Sequence, residues 1–241
     1  MTSVPPICVY CSAAAGVTGD HVPPKSFFPK PRPNNLVTVP ACLKCNHSAG
    51  KDEEYFLATL MFSEAGVTAV GKKLWNERLR RMYEKNIGLR SRIAGSLRHR
   101  QLSTPAGIYL GRGMTVEYDP RRLEAIAMKI VRGLYFIERG TPLDASSEVM
   151  CLFLRERPHF KAVEDHNHML KVGTLQWNGI FQYRCGFVPG DSVGSMWLLW
   201  FWQTHIFWAI TSSVGTVASV ASATAKNSLN ADGRRQAAPA G

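Results

Sequence analysis

The sequence is poor in acidic residues, and this shortage decides its overall charge. Its 241 residues include 18 Asp and Glu against 29 Lys and Arg, which gives a formal net charge of +11. The isoelectric point is accordingly near 9.6. A chain this basic is expected to bind a polyanionic partner, and nucleic acid is the simplest candidate.

The sequence also lacks the apolar runs of exported and membrane proteins. No basic segment followed by an apolar run stands near its N-terminus, so we expect no signal peptide and a cytoplasmic location. The most apolar stretch, residues 195–211, is interrupted by Gln203 and His205. A membrane helix needs about 20 apolar residues in succession. We therefore expect buried strands here and no membrane partner, with membrane association as the alternative.

Cysteine is scarce, with six in the chain. Thiols stay reduced in the cytoplasm, which excludes a disulfide framework and favours metal binding or burial. Two residues separate Cys8 from Cys11, and two separate Cys42 from Cys45. Paired cysteines at this spacing are typical of a tetrahedral zinc site with four thiolate ligands. We expect a structural Zn²⁺ that closes a small module with little core of its own.

The segment around these cysteines carries side chains with further chemistry. They are Asp20, His21, Asn34 and Asn35 between the pairs, and Asn46 and His47 after the last cysteine. If the zinc site brings them together, the carboxylate and the amides can form a second metal site. Their oxygen ligands suit a hard cation such as Mg²⁺ or Mn²⁺. An imidazole with an ordinary pKa near 6.5 can take a proton from water at physiological pH.

Composition divides the chain into four parts and predicts an α+β protein. The parts are a zinc-clipped module over 1–58, a basic helical region over 59–140, a β-rich region over 141–211 and a tail over 212–241. The tail consists mainly of small residues and cannot bury enough apolar surface to order itself, so we expect it to be disordered.

Local patterns predict the individual elements. They are a strand over Leu36–Val39, a helix over Lys51–Phe62, a helical region from about Val70 to Gly88, a strand or hairpin over 107–119, and strands between 145 and 211. Asp119 and Pro120 are an N-cap and a first-turn proline for the most regular helix, which ends at Gly140. We expect the strands to bury Trp197, Trp200, Trp202 and Trp208 against the helices.

The positive charge is concentrated over residues 72–100, where ten Lys and Arg accompany two Glu. Such a stretch is either a solvated helical face or a surface that binds a nucleic-acid backbone. The residues that we predict to contact nucleic acid are Lys25, Lys72, Lys73, Arg78, Arg80 and Arg81.

Taken together, the N-terminal motifs resemble the HNH endonuclease family in its zinc-bearing, four-cysteine form. The matching segments are Cys8-x2-Cys11, Asp20-His21-Val-Pro-Pro, Asn35-Leu-Val-Thr-Val and Cys42-x2-Cys45-Asn46. They cover about fifty of the 241 residues, in the order of the family pattern. The stretch between Asn35 and Cys42 is longer than in the commonest form of that pattern.

This resemblance implies a ββα-metal fold and metal-dependent hydrolysis of phosphodiester bonds in DNA. It implies that His21 is the general base, and that Asp20 and Asn46 are ligands of one Mg²⁺ or Mn²⁺ ion. It also implies that Asn35 holds the base in orientation. Because Asn46 stands where the family has its final His or Asn, the chain resembles an HNN variant. His47 takes the ligand role if the helix register differs by one residue.

Two other functions stay open on sequence grounds. One is a catalytically inactive, zinc-stabilised module that binds nucleic acid or another protein. The other is a nuclease gated by its C-terminal region, where the tryptophan-rich strands would sense a small molecule or a partner. Metal content and Mg²⁺-dependent cleavage distinguish the first alternative from an active enzyme.

Overall fold

The computed structural model describes residues 6–64, 68–104, 106–154 and 167–213. It combines helices with three antiparallel sheets, so the predicted mixture of helix and sheet is confirmed. The expected disorder of residues 212–241 concerns a segment that lies, from residue 214 onward, outside the described residues. The division of the chain into four parts stays a prediction.

The N-terminal part is built on a short hairpin followed by a helix. Strand β1 (Thr18–His21) pairs with β2 (Thr38–Ala41), and this second strand begins two residues later than we predicted. Helix α1 (Leu43–Ser48) follows β2 at once. Its N-cap is Cys42, whose sulfur accepts the N–H of Cys45 at 3.4 Å.

A helical stretch follows, close to the predicted positions. It contains α2 (Gly50–Glu64), α3 (Ala69–Leu74), a π-helical segment (Trp75–Leu79), α4 (Arg80–Lys85) and α5 (Ile87–Gly95). Helix α2 buries Tyr55, Phe56 and Leu60. The π-helical segment lies directly between α3 and α4, without a break in the helical backbone.

The second hairpin pairs β3 (Leu97–Ser103) with β4 (Tyr109–Val116). The predicted strand or hairpin over 107–119 is confirmed by β4. Its partner, however, uses the end of the basic stretch, where we considered a helical face. Residues 97–100 alternate arginine with other side chains and have no apolar face for a helix to bury, so backbone pairing with β4 decides their structure.

Helix α6 (Pro120–Arg139) is the longest helix among the described residues, and the sequence predicts both of its ends. Asp119 accepts the N–H of Arg121 at 3.1 Å, and Pro120 occupies the first turn. Gly140 has φ 73°, a left-handed conformation that glycine adopts without steric cost and that ends the helix. The periodic apolar positions of α6 are buried.

The C-terminal part forms a five-stranded antiparallel sheet in the order β5-β9-β8-β7-β6. Its strands are β5 (Glu148–Leu154), β6 (Lys171–Val172), β7 (Phe181–Phe187), β8 (Ser195–Phe201) and β9 (His205–Ser212). Residues 195–211 are therefore two strands, and Gln203 lies in the turn between them. The part of the chain that the structure describes contains no helix long and apolar enough to cross a bilayer.

The four tryptophans of residues 195–211 differ in burial. Trp197 and Trp202 are buried, whereas Trp200 and Trp208 are only partly buried, so the expectation that all four are core residues is wrong for two of them. Trp200 and Trp208 occupy strand positions of the opposite parity to Trp197, and successive side chains of a strand point to opposite faces.

One hydrophobic core joins the N-terminal hairpin, the helices and the large sheet. At its centre, Phe27 stacks on Phe56 with ring centroids 5.1 Å apart, and Phe56 lies 5.1 Å from Phe201. The indole of Trp202, in the turn after β8, donates a hydrogen bond to the carbonyl of Phe27 at 3.3 Å. These contacts fix the N-terminal module against the C-terminal sheet.

Candidate active site

The four cysteines of the two pairs converge on one point. The sulfur atoms of Cys8, Cys11, Cys42 and Cys45 all lie within 4.8 Å of one another. Four thiolates around a Zn²⁺ ion, at a Zn–S distance of about 2.3 Å, are about 3.8 Å apart. The cluster therefore has the ligand type, number and spacing of a structural zinc site.

Backbone hydrogen bonds hold the two cysteine turns in place. Cys8 donates its N–H to the carbonyl of Ala14 at 2.8 Å and accepts the N–H of Ser12 at 2.9 Å, which folds the first turn. The N–H of Val9 donates to the carbonyl of Pro40 at 2.9 Å and joins that turn to β2. A metal ion bound here fixes the start of the module to the hairpin and to α1.

The thiol chemistry of the cluster is compatible with metal binding. The backbone N–H of Ala13 favours the thiolate of Cys11 and, with a contribution from the N–H of Ala14, lowers the pKa of this cysteine to about 7. Burial and the neighbouring cysteines raise the pKa of Cys45. A bound cation reverses such a rise, because it stabilises the thiolate directly.

Asp20 lies on the buried side of β1, within a network of charged groups. Its Oδ2 is 2.8 Å from the Nζ of Lys129 on α6, and the same ammonium is 3.1 Å from Oε1 of Glu53 on α2. Burial and the nearby Asp20 raise the pKa of Tyr10, whose ring faces Lys129. This network links β1 to both helices.

The network bears directly on whether Asp20 can hold a divalent ion. A carboxylate is a suitable ligand for Mg²⁺ or Mn²⁺, and the position of Lys129 shows that a positive charge is favourable beside Asp20. The donor chemistry therefore fits such an ion. The ammonium of Lys129 is nevertheless a competitor, because it already neutralises the carboxylate.

His21 follows Asp20 on β1, and its environment favours the neutral ring. Burial lowers its pKa, the positive charge of Lys25 and Arg32 lowers it further, and the negative charge of Asp20 opposes these effects. Within the described part of the chain, no group hydrogen-bonds to the His21 ring. A half-buried, neutral imidazole without a protein partner can accept a proton from water.

Asn46 of α1 forms a side-chain hydrogen bond with β1. Its Nδ2 donates to Oγ1 of Thr18 at 3.0 Å. Thr18 and Asp20 are two residues apart on β1, so they occupy the same face of the hairpin. Asn46 therefore lies on the side of β1 that carries Asp20, whereas His47 is exposed.

Asn35 has a partner that the sequence analysis did not anticipate. Its Oδ1 accepts the indole N–H of Trp177 at 2.9 Å, which ties the loop before β2 to the C-terminal part. Lys129 and Glu53 were also missed as members of the site. Trp177 and Lys129 are remote in sequence from the cysteine module, and Glu53 lies within it but belongs to no recognisable motif, so only the fold reveals these partners.

The predicted nucleic-acid contacts separate into distinct surroundings. Lys72 and Lys73 are exposed on α3, and Arg80 pairs with Glu84 at 3.3 Å on the surface of α4. Arg78 and Arg81, in contrast, line a shared cavity that also includes residues of the loop after β1. Lys25, in that loop, lies near His21 and lowers its pKa.

The N-terminal module thus combines a four-thiolate cluster, a neutral imidazole, and a carboxylate with an amide on one face of β1. Such a set can bind a structural metal ion and has the groups needed for hydrolysis. No protein-family model, curated protein or solved structure matches this chain. The functional interpretation therefore depends on the side chains themselves.

Proposed function

We propose that this protein is a zinc-stabilised, divalent-metal-dependent endonuclease of the HNH type that hydrolyses phosphodiester bonds of DNA. The observation that carries the proposal is the arrangement around the hairpin. The four-cysteine cluster fixes both ends of a segment whose strand β1 holds Asp20 and His21, and α1 returns Asn46 to that strand. The net charge of +11 is consistent with a nucleic-acid substrate.

In this proposal His21 is the general base. The ring nitrogen takes a proton from a water molecule as the water oxygen attacks phosphorus, and the bond from phosphorus to the leaving 3′-oxygen breaks. Burial and the charges of Lys25 and Arg32 keep the ring ready for this role, because they lower its pKa. A positioned base of this kind contributes roughly 10²- to 10⁴-fold to the rate.

Asp20 and Asn46 would hold the divalent ion in the proposed enzyme. When bound, a Mg²⁺ or Mn²⁺ ion stabilises the charge that develops on the phosphate and on the leaving oxygen. For Asp20 to take part, Lys129 must release its carboxylate and remain paired with Glu53. Asn35 would act indirectly, since its bond to Trp177 anchors the loop that connects β1 to β2.

The test is plasmid cleavage by the purified, zinc-loaded chain with Mg²⁺, with Mn²⁺ or with EDTA. We expect metal-dependent cleavage that falls at least about 10²-fold in His21→Ala. His47→Ala is the matched control, because it removes an exposed imidazole from the same module. Zinc content is measured for each variant. Equal cleavage by the parent and His21→Ala, at equal zinc content, contradicts the assignment of the base.

The ion pair of Asp20 favours one second candidate, a catalytically inactive zinc-stabilised module that binds nucleic acid or protein. In that case Asp20 is purely structural, and it stays paired with Lys129 at all times. Lys129→Met separates the candidates through Mn²⁺-dependent thermal unfolding. A metal ligand freed from its ammonium should gain a Mn²⁺-dependent rise in Tm, which Asp20→Asn/Lys129→Met should lose. Absence of any rise in Lys129→Met favours the inactive module.

A further inference from the structure

A basic cavity lies between the loop that follows β1 and the continuous helical stretch from α3 to α4. Its volume is about 270 Å³, and four of its lining residues are cations: Lys30, Arg32, Arg78 and Arg81. Two of them, Lys30 and Arg32, come from the loop, and the other two come from the helical stretch. The cavity is therefore assembled by the tertiary fold.

One carboxylate lines the cavity with these four cations. Oε2 of Glu77 accepts the backbone N–H of Lys30 at 2.7 Å, so it fastens the loop to the π-helical segment. Glu53 and Glu54 also lie near enough to Arg78 to favour its charged form. The Glu54 carboxylate accepts a hydrogen bond from Asn86 at 3.1 Å. The cavity lining itself keeps an excess of positive charge.

Arg78 is the unusual member of the cavity. Its Nε is buried and has no hydrogen-bond partner within the described residues. Burial and the nearby Arg32 lower the pKa of its guanidinium, which nevertheless stays charged in proteins. A buried charged donor without a partner is unfavourable, as is a second guanidinium beside it. An anion bound between the two arginines would relieve both costs.

Three arginines from two separate segments, Arg32, Arg78 and Arg81, line this one cavity. Arg78 lies in the π-helical segment, a rare helical form that frequently occurs at functional sites, and Arg81 follows three residues later on the same side. Arg32 is held by its Nε, which donates to the carbonyl of Lys25 at 3.0 Å. Arg32 also lies close enough to His21 to lower its pKa, so one cation of the cavity is near the imidazole.

We propose that this arginine cavity binds one backbone phosphate of a DNA strand and thereby positions the strand beside His21. Two or more guanidinium groups can contact the non-bridging oxygens of a phosphate in bidentate fashion. The inference deepens the proposed nuclease and rests on it for the nature of the polymer. The binding itself does not require cleavage or a divalent ion.

The experiment measures binding of a fluorescein-labelled DNA duplex to the full, zinc-loaded chain, without added divalent ion and over a series of salt concentrations. We compare Arg78→Met with Arg90→Met, because Arg90 is an exposed arginine of α5 and loses the same charge. We expect Arg78→Met to weaken binding about tenfold and to reduce the salt slope by about one contact. Arg90→Met should change both quantities little.

A stability measurement distinguishes a binding role from a structural one. Met matches the length of the arginine stem and removes a half-buried guanidinium whose buried Nε has no hydrogen-bond partner within the described residues, so Arg78→Met should unfold at the same temperature as the parent or higher. A structural arginine would show the opposite. A double-mutant cycle with Arg32→Gln should be non-additive in DNA affinity if both side chains contact one phosphate.

Three outcomes overturn the proposal. They are equal loss of affinity in the Arg78 and Arg90 variants, a lowered Tm in Arg78→Met, and inorganic phosphate binding that depends on Arg78 while duplex binding does not. The last result assigns the cavity to a free anion. Failure of the nuclease is recognised separately, because a chain that binds DNA through Arg78 and cuts no DNA retains the cavity and loses the enzyme.

Discussion

Among the described residues, two hairpins lie outside the large sheet, and they differ in length, burial and anchoring. The hairpin of β1 and β2 has four residues in each strand, whereas β3 and β4 have seven and eight. The shorter hairpin is held by the cysteine cluster, by the ion pair of Asp20 and by helix α6. The longer one is largely exposed on both faces.

The difference shows that anchoring, rather than strand length, determines which hairpin holds its side chains in fixed positions. The longer hairpin is held mainly by the backbone hydrogen bonds between its own two strands. A hairpin held in this way is only marginally stable in water. The shorter hairpin is fixed by three sets of contacts: the cysteine cluster, the ion pair of Asp20 and helix α6. Catalytic groups need positions fixed within fractions of an ångström, and the candidate residues lie on the anchored hairpin.

The largest effect should come from breaking the cysteine cluster. Cys11→Ser removes one thiolate of a partly exposed residue, so loss of packing contributes little. We expect loss of zinc and of the folded N-terminal module, because metal binding supplies much of the folding free energy of such small units. Elemental analysis and near-UV circular dichroism measure both. Cys185→Ala, which removes a cysteine of β7 in the core, should retain zinc.

The next largest effect should come from breaking an ion pair, and its cost in unfolding free energy should differ strongly between the two hairpins. Lys129→Met leaves Asp20 and Glu53 without their shared ammonium in a buried setting, which should cost about 3–5 kcal/mol of unfolding free energy. Glu117→Gln breaks the exposed pair with Arg98 beside the longer hairpin, at a cost of about 1 kcal/mol or less. Urea denaturation of both variants tests the ranking, and equal costs contradict it.

Two glycines, one packed against the end of β1 and one in the longer hairpin, allow a finer test of the difference in anchoring. A Cβ on Gly133 of α6 would lie 2.5 Å from Cγ2 of Val22, which follows His21 and is buried. A Cβ on Gly113 of β4 would meet Cδ1 of Leu102 at 2.7 Å, but that side chain is 43% exposed and can turn away.

We therefore expect Gly133→Ala to destabilise the protein by about 1 kcal/mol, since overpacking of about 1–3 kcal/mol exceeds the gain in helix propensity. Gly113→Ala should change the unfolding free energy by less than about 0.5 kcal/mol. Thermal unfolding of the two alanine variants measures the difference. A stabilised Gly133→Ala would mean that α6 does not press against the end of β1.

The smallest effect should come from the side chains of the longer hairpin. Arg100 is exposed on β3 and lies opposite Gly113, so Arg100→Gln removes charge without removing packing. We expect a change in unfolding free energy within about 0.5 kcal/mol. Chemical denaturation is the measurement, and a cost above 1 kcal/mol would show that this hairpin is anchored by contacts of Arg100.

The same contrast explains how much the sequence could predict. Helix α6 was predicted closely because its cap, first-turn proline and terminal glycine are local signals. The cysteine cluster was predictable from spacing, since metal ligands impose their own geometry. Strand β3 was not expected, because its polar side chains show no apolar alternation and its structure depends on pairing with β4.

The partners within the candidate site could not be predicted for a related reason. Lys129 is separated from Asp20 by 109 residues, and the indole of Trp177 is 142 residues from Asn35. Nothing in the local sequence marks an ion pair or a single hydrogen bond over such separations. The arginine cavity was predictable in part. Its helical members lie in a conspicuously basic stretch, whereas Lys30 and Arg32 lie in a proline-rich loop where they could equally be solvated charges.

The aromatic cluster around Phe27 affects the order in which the protein folds during synthesis. A nascent chain can gather its four cysteines once residue 45 has left the ribosome. Phe27 and Phe56, however, lack Phe201 and the indole of Trp202 until β8 and the turn after it have emerged. During elongation the N-terminal segment can therefore be metal-bound yet incompletely packed, with aromatic surface exposed to chaperones until residue 202 has left the ribosome.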